Sequence, residues 1–103
     1  MPAALMRIHV LTSGLSYDDF ASHLTRQEAV IRNLEIIGEA AKNVPKELRS
    51  RYPHVDWARI GGLRDILIHQ HFAVDLEILW DIILNNLPEL EVQIKSILSE
   101  SEC

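Results

Sequence analysis

Gly61-Gly62-Leu63-Arg64-Asp65-Ile66-Leu67-Ile68-His69-Gln70-His71-Phe72 crowds an arginine, a carboxylate and two histidines into one mostly apolar segment. Trp57, Ile60, Leu63 and Leu67 recur through it at helical spacing, so it reads as a helix that Asp56 can cap. Glycine inside a helix costs roughly 1 kcal/mol relative to alanine, so Gly61 and Gly62 imply a close neighbour, either a packed helix or a partner surface. A helix turns about 100° per residue, which points Arg64 and His69 about 140° apart. Asp65 and His69 share a face, and Arg64 nearly coincides with His71. A site built from both Arg64 and His69 therefore needs a helix that ends near Ile68, or a second chain that supplies the missing partner.

By itself, an arginine followed five residues later by a histidine also fits a salt-bridged surface helix. The flanks decide between the readings. Upstream runs Ala29-Val30-Ile31-Arg32-Asn33-Leu34-Glu35-Ile36-Ile37-Gly38-Glu39-Ala40-Ala41-Lys42; downstream come Val74-Asp75-Leu76-Glu77-Ile78-Leu79-Trp80 and Leu87-Pro88-Glu89-Leu90. With these flanks, from about Gly14 to Leu98, the chain resembles the HEPN ribonucleases. It is most similar to their HepT-like branch, the toxin half of HEPN/MNT toxin-antitoxin pairs. That resemblance implies a symmetric homodimer whose paired motifs face each other across a cleft, with RNA as substrate and a nucleotidyltransferase antitoxin of the MNT type as partner.

The implied chemistry is cleavage of an RNA phosphodiester with no metal or other cofactor. Histidine titrates near neutral pH, so one imidazole can take the 2′-OH proton while another protonates the leaving oxygen. Arginine is always charged and matches phosphate oxygens with a planar fork of donors. Arg64 and His69 are thus the expected catalytic pair, with Asp65 orienting His69 and favouring its protonated form. Asn33 and Glu39 are candidate supporting residues within the upstream flank. That polar face reads first as a solvated one, paired as Arg32 with Glu35 and Glu39 with Lys42.

One position departs from the family pattern. The tyrosine that usually stands two residues after the histidine, where it resembles the AMP acceptor used to silence the toxin, is replaced by His71. Imidazole has no phenolic hydroxyl. The antitoxin then neutralises by binding alone or through another residue, or the chain is already inactive. His71 is expected to line the cleft as a third imidazole; zinc binding by His69 and His71 would require extended backbone, since on a helix they diverge by about 160°.

At 103 residues the chain is long enough for one domain, spanning 1–103, and one core. Its 48% hydrophobic and 24% charged content fits a folded domain rather than a disordered one. A net charge of −5 excludes a general electrostatic grip on nucleic acid, so RNA contact falls to a local basic site formed by Arg59, Arg64 and the histidines. Cys103 has no partner in the chain, which points to a reducing cytoplasm. Pro2 to Leu11 is too short and too interrupted by Arg7 and His9 to span a membrane. His9 and His54 are most simply surface histidines.

The expected fold is all-α, an antiparallel four-helix bundle with one or two short extra helices, forming a homodimer. The first helix, Ala3 to Leu11, would bury Leu5, Met6, Val10 and Leu11 and stop at Thr12-Ser13-Gly14; it is shorter than the family's usual first helix. Ser16 caps a brief helix to about Leu24, and Thr25 with Glu28 reads as a capping box for the long helix that ends at Pro45. Pro45 to Arg51 is a short helical turn, and Tyr52 to Val55 is extended. Asp75 caps the next helix, Asn85-Asn86 weaken it, and Leu87-Pro88 restart or kink the last. Trp57 and Trp80 are expected as core or interface anchors. Two functions stand side by side: an active HepT-like endoribonuclease, and a HEPN binding module that has lost catalysis and serves a nucleotidyltransferase.

Overall fold

The chain first reverses at Gly14, whose φ of +76° suits a residue without a Cβ. It does so just after α1, Pro2–Thr12, where Thr12 Oγ1 donates to the Ile8 carbonyl at 2.8 Å. The computed structural model describes residues 1–69 and 75–101, and every regular element among them is helical. Ala4, Leu5 and Ile8 turn α1 inward, one apolar strip at helical spacing, while Met6 and Val10 face outward, contrary to expectation.

Ser16 caps α2, Tyr17–Ala21, through a complete capping box. Its hydroxyl accepts from the Asp19 N–H at 3.1 Å, and its own N–H donates to Asp19 Oδ2 at 3.2 Å. The box expected at Thr25 does not form. The long helix α3, Leu24–Lys42, is capped by His23 with no side-chain bond, so Thr25 already lies inside its first turn. Gln27 takes over the junction: buried, it donates Nε2 to the carbonyls of Phe20 and Ala21 at 2.9 and 3.0 Å. This satisfies the Ala21 carbonyl, adds to the His23 N–H already on that of Phe20, and ties the end of α2 to α3.

Pro45 stands as the N-cap of α4, Lys46–Arg51, just ahead of the first helical position. Tyr52 to Val55 is a turn rather than an extended segment. The Val55 N–H reaches the Tyr52 carbonyl at 3.2 Å, and buried Trp57 donates Nε1 to the same oxygen at 3.0 Å. Asp56 Oδ1 accepts from the Arg59 N–H at 3.1 Å, capping α5, Trp57–His69. Asp75 likewise caps α6, Leu76–Asp81, by accepting from the Glu77 N–H at 2.8 Å.

No break follows α6. It runs through a π-helical turn, Ile82–Asn86, into α7, Leu87–Ser101. Pro88 explains the wider turn, since its ring would crowd the carbonyl four residues back and it has no N–H to donate.

In packing, α3 lies against both α1 and α5, α1 also meets α7, and α2 bridges α3 and α6. Val30, Leu34, Ile37 and Ala41 form the inward stripe of α3. Phe20 is fully buried, its ring 5.1 Å from that of Trp80, and contributes about 1.5–3 kcal/mol by burial. Among the described residues, no helix is long and apolar enough to cross a membrane.

Candidate active site

The site is built where α3 and α5 approach most closely. A Cβ on Gly38 would run into the Cβ of Arg64, and one on Gly61 would come within 2.9 Å of Lys42 Cγ. Each helix thus offers a glycine to the other at the crossing. Close packing accounts for Gly61 but not for Gly62, whose missing Cβ would meet nothing within 4 Å.

That approach brings four charged side chains into a ladder. Arg64 pairs with Glu39, Nε to Oε2, at 2.8 Å and donates Nη1 to Asp65 Oδ1 at 3.2 Å. Lys42 Nζ lies 2.6 and 2.7 Å from the two oxygens of Asp65. The expected Glu39–Lys42 pair along α3 is therefore replaced by two pairs across the helices, whereas Arg32–Glu35 forms as expected at 3.5 Å. An exposed pair within one helix is worth only a few tenths of a kcal/mol, so the cross-helix contacts opened by the glycines readily displace it. Lys42 was legible only as a surface charge, because its role depends on a contact 23 residues away.

Asp65 is held below the ordinary carboxylate range, chiefly by the hydrogen bond from Lys42 and further by Arg64. Arg64 has five N–H donors, and among the described residues it is engaged through Nε by Glu39 and through Nη1 by Asp65. Its side chain is 31% exposed, so solvent reaches it.

His69 belongs to the same helix but stands outside the ladder. The Asp65 group that meets it is the main-chain carbonyl, 2.8 Å from Nδ1; the Asp65 carboxylate is turned to Lys42 and Arg64. A carbonyl can only accept, so Nδ1 carries the proton and the lone pair of the neutral ring sits on Nε2. The residue is exposed, and among the described residues Nε2 has no hydrogen-bond partner. Because α5 remains helical through His69, Arg64 and His69 point to different sides.

Of the remaining candidates, Glu39 joins the ladder and Asn33 does not. Asn33 is buried, donates Nδ2 to the Ala29 carbonyl at 2.8 Å, and accepts from Arg7 Nη1 at 3.4 Å. His71 lies outside the described residues. Among the described residues, no three His, Cys, Asp or Glu side chains are grouped to hold a metal ion. Arg59 and His54 instead border an open groove of about 610 Å³, walled by Leu63, Ile66, Ile78 and Leu90.

The result is a small helical protein with an oriented arginine and an accessible histidine on one helix, a set that suits handling of a phosphate ester. Comparison with known proteins makes the class specific. A family model described as ribonuclease HepT-like matches residues 1–97, and the chain belongs to that family. A protein of Caldanaerobacter subterraneus subsp. tengcongensis, named as a candidate RNase, is 47% identical over 86% of this chain and 80% of its own. Another so named, from Methanocaldococcus jannaschii, is 44% identical over 88% of this chain and 78% of its own. The probable ribonuclease HepT of Thermococcus cleftensis is 39% identical over 85% and 80%. No solved structure matches the chain.

Proposed function

We propose that this chain is a metal-independent endoribonuclease, the toxin component of a HEPN/MNT toxin-antitoxin pair, acting in the cytoplasm as a homodimer of antiparallel four-helix bundles. The observation that carries the reading is the division of labour on α5. Arg64 is paired with Glu39 and partly open to solvent, and exposed His69, its Nδ1 on the Asp65 carbonyl, lies to another side. The names of the relatives agree with RNA as substrate.

In this mechanism, Nε2 of one His69 takes the proton of a ribose 2′-OH. The 2′-oxygen attacks the adjacent phosphorus, the bond to the 5′-oxygen breaks, and the partner's His69 protonates that oxygen. A 2′,3′-cyclic phosphate and a 5′-hydroxyl result. Arg64 holds the phosphate and stabilises the charge gathering on its oxygens. The Asp65 carbonyl keeps His69 in the required tautomer, and His71 assists as a further imidazole.

Two copies are needed because Arg64 and His69 point apart on one helix, and the apolar groove beside α5, with Ile66 54% exposed, gives a second copy a surface to cover. The MNT-type nucleotidyltransferase antitoxin silences the enzyme by binding or through a residue other than 71, because His71 has no phenolic hydroxyl to modify.

The test is cleavage of an end-labelled RNA in EDTA, comparing wild type with His69→Ala after size-exclusion chromatography. Cleavage by the wild type that the mutant loses supports the reading. A folded wild type that leaves RNA intact would replace it with the binding-module function.

A further inference from the structure

We infer that Lys42 and Arg64 together form a seat for one internal phosphodiester of the RNA, and that the Asp65 carboxylate occupies this seat in the free protein. The inference rests on the ribonuclease reading and adds a substrate-binding residue to it. The observation is convergence on one atom. Lys42 Nζ and Arg64 Nη1, from different helices, both meet Asp65 Oδ1, at 2.6 and 3.2 Å, and Lys42 also reaches Oδ2 at 2.7 Å. Two cations gathered around a forked pair of oxygens are the arrangement that a phosphate with two free oxygens would require.

Three further features favour exchange over a merely structural ion pair. The groups are open to solvent, with side-chain exposures of 39% for Lys42 and 44% for Asp65, so a backbone phosphate can enter and the carboxylate can turn outward. Glu39 pairs with Arg64 at Nε, so the guanidinium keeps an anionic neighbour on α3 when Asp65 leaves. Finally, the charges balance. Glu39, Arg64, Asp65 and Lys42 sum to zero, and a phosphodiester carries the same single charge as the carboxylate it displaces. A terminal phosphate brings up to two charges and disturbs that balance, so the seat favours an internal phosphodiester. With the Asp65 carboxylate turned outward, Lys42 and Arg64 supply a local contact for phosphate that a chain of net charge −5 lacks as a whole.

The test measures fluorescence anisotropy of a 3′-labelled single-stranded oligoribonucleotide with a 5′-hydroxyl, with every variant built on His69→Ala to suppress cleavage. Lys42→Ala is expected to weaken binding about tenfold and to reduce the slope of log affinity against log salt by about 0.7, the loss of one phosphate contact on a single strand. Lys42→Arg should restore both. Asp65→Asn should tighten binding several-fold, the opposite sign to that of a broken structural pair. Unlabelled 5′-AMP should compete far more weakly than an unlabelled dinucleoside monophosphate; equal competition would overturn the preference for a diester.

Unchanged affinity and slope in Lys42→Ala, or weaker binding in Asp65→Asn, would overturn the seat. Thermal unfolding of each variant, with Lys42→Arg as the conservative control, separates these outcomes from misfolding. Wild-type cleavage of RNA is assayed alongside. Cleavage with no effect of Lys42→Ala removes the seat and leaves the ribonuclease reading. Seat-dependent binding without cleavage does the reverse, and an oligonucleotide that does not bind at all removes both.

Discussion

Arg64 Nε meets Glu39 Oε2 at 2.8 Å beside the point where Gly38 has no side chain to hold α3 away from α5. The contact and the glycine belong to one device, since a Cβ at residue 38 would strike the rigid Cβ of Arg64. Gly38→Ala is therefore expected to destabilise the protein by about 1–3 kcal/mol, as overpacking at a tight contact does. Gly61→Ala meets Lys42 Cγ at 2.9 Å, a side-chain contact milder than the one at residue 38, and its gain in helix propensity, about 1 kcal/mol, offsets part of the cost. Urea unfolding of both variants checks this; equal stability of Gly38→Ala and the parent would refute the tight crossing.

The lowered pKa of Asp65 has a definite sign. The folded carboxyl ionises below its unfolded value, so its contribution to stability is complete above the ordinary carboxylate pKa of 3.8. It disappears as pH falls through the lower folded value. Because the hydrogen bond from Lys42 is the main cause, Lys42→Met should move the Asp65 titration up toward 3.8. Carbon-detected NMR of the carboxyl signal measures this directly, and an unmoved titration would assign the shift elsewhere.

Gln27 should matter more than a polar residue on a helix usually does. Gln27→Leu removes the hydrogen bonds to two carbonyls and strands that of Ala21 at the α2–α3 junction, while that of Phe20 keeps the His23 N–H; the expected loss is about 1–3 kcal/mol. Thermal and urea unfolding read the change. Thr25→Ala, which removes no capping bond, should stay within about 0.5 kcal/mol of the parent.

Ile66 tests the proposed dimer. Ile66→Glu places a charge on a side chain that is 54% exposed, so the monomer fold should tolerate it. If a second copy covers the groove, the variant will elute as a monomer, keep its helical circular dichroism and lose RNA cleavage together. Dimers of undiminished activity would move the interface to another face.

Much of the fold could be read along the chain because it rests on local rules. Ser16 before two acids, Asp56 before Trp57 and Asp75 before Leu76 mark helix starts by side-chain bonds within three residues. Val30, Leu34, Ile37 and Ala41 mark an inward face by spacing alone. Expectations failed where a distant group intervened. Gln27, reaching back to α2, accompanies a helix start ahead of the Thr25 box, and Trp57 binds the carbonyl around which Tyr52 to Val55 turns.

The sequence by itself determined the helical class and the family to which the chain belongs; the opposed directions of Arg64 and His69 followed once α5 stayed helical through His69, at a period of 3.6. Only tertiary structure decided that Glu39 serves Arg64, that Lys42 serves Asp65, and that the Asp65 carboxylate leaves His69 to its backbone carbonyl. Spacing along one helix cannot specify such contacts. They depend on how closely a second helix approaches, and here Gly38 and Gly61 set that distance by the atoms they lack.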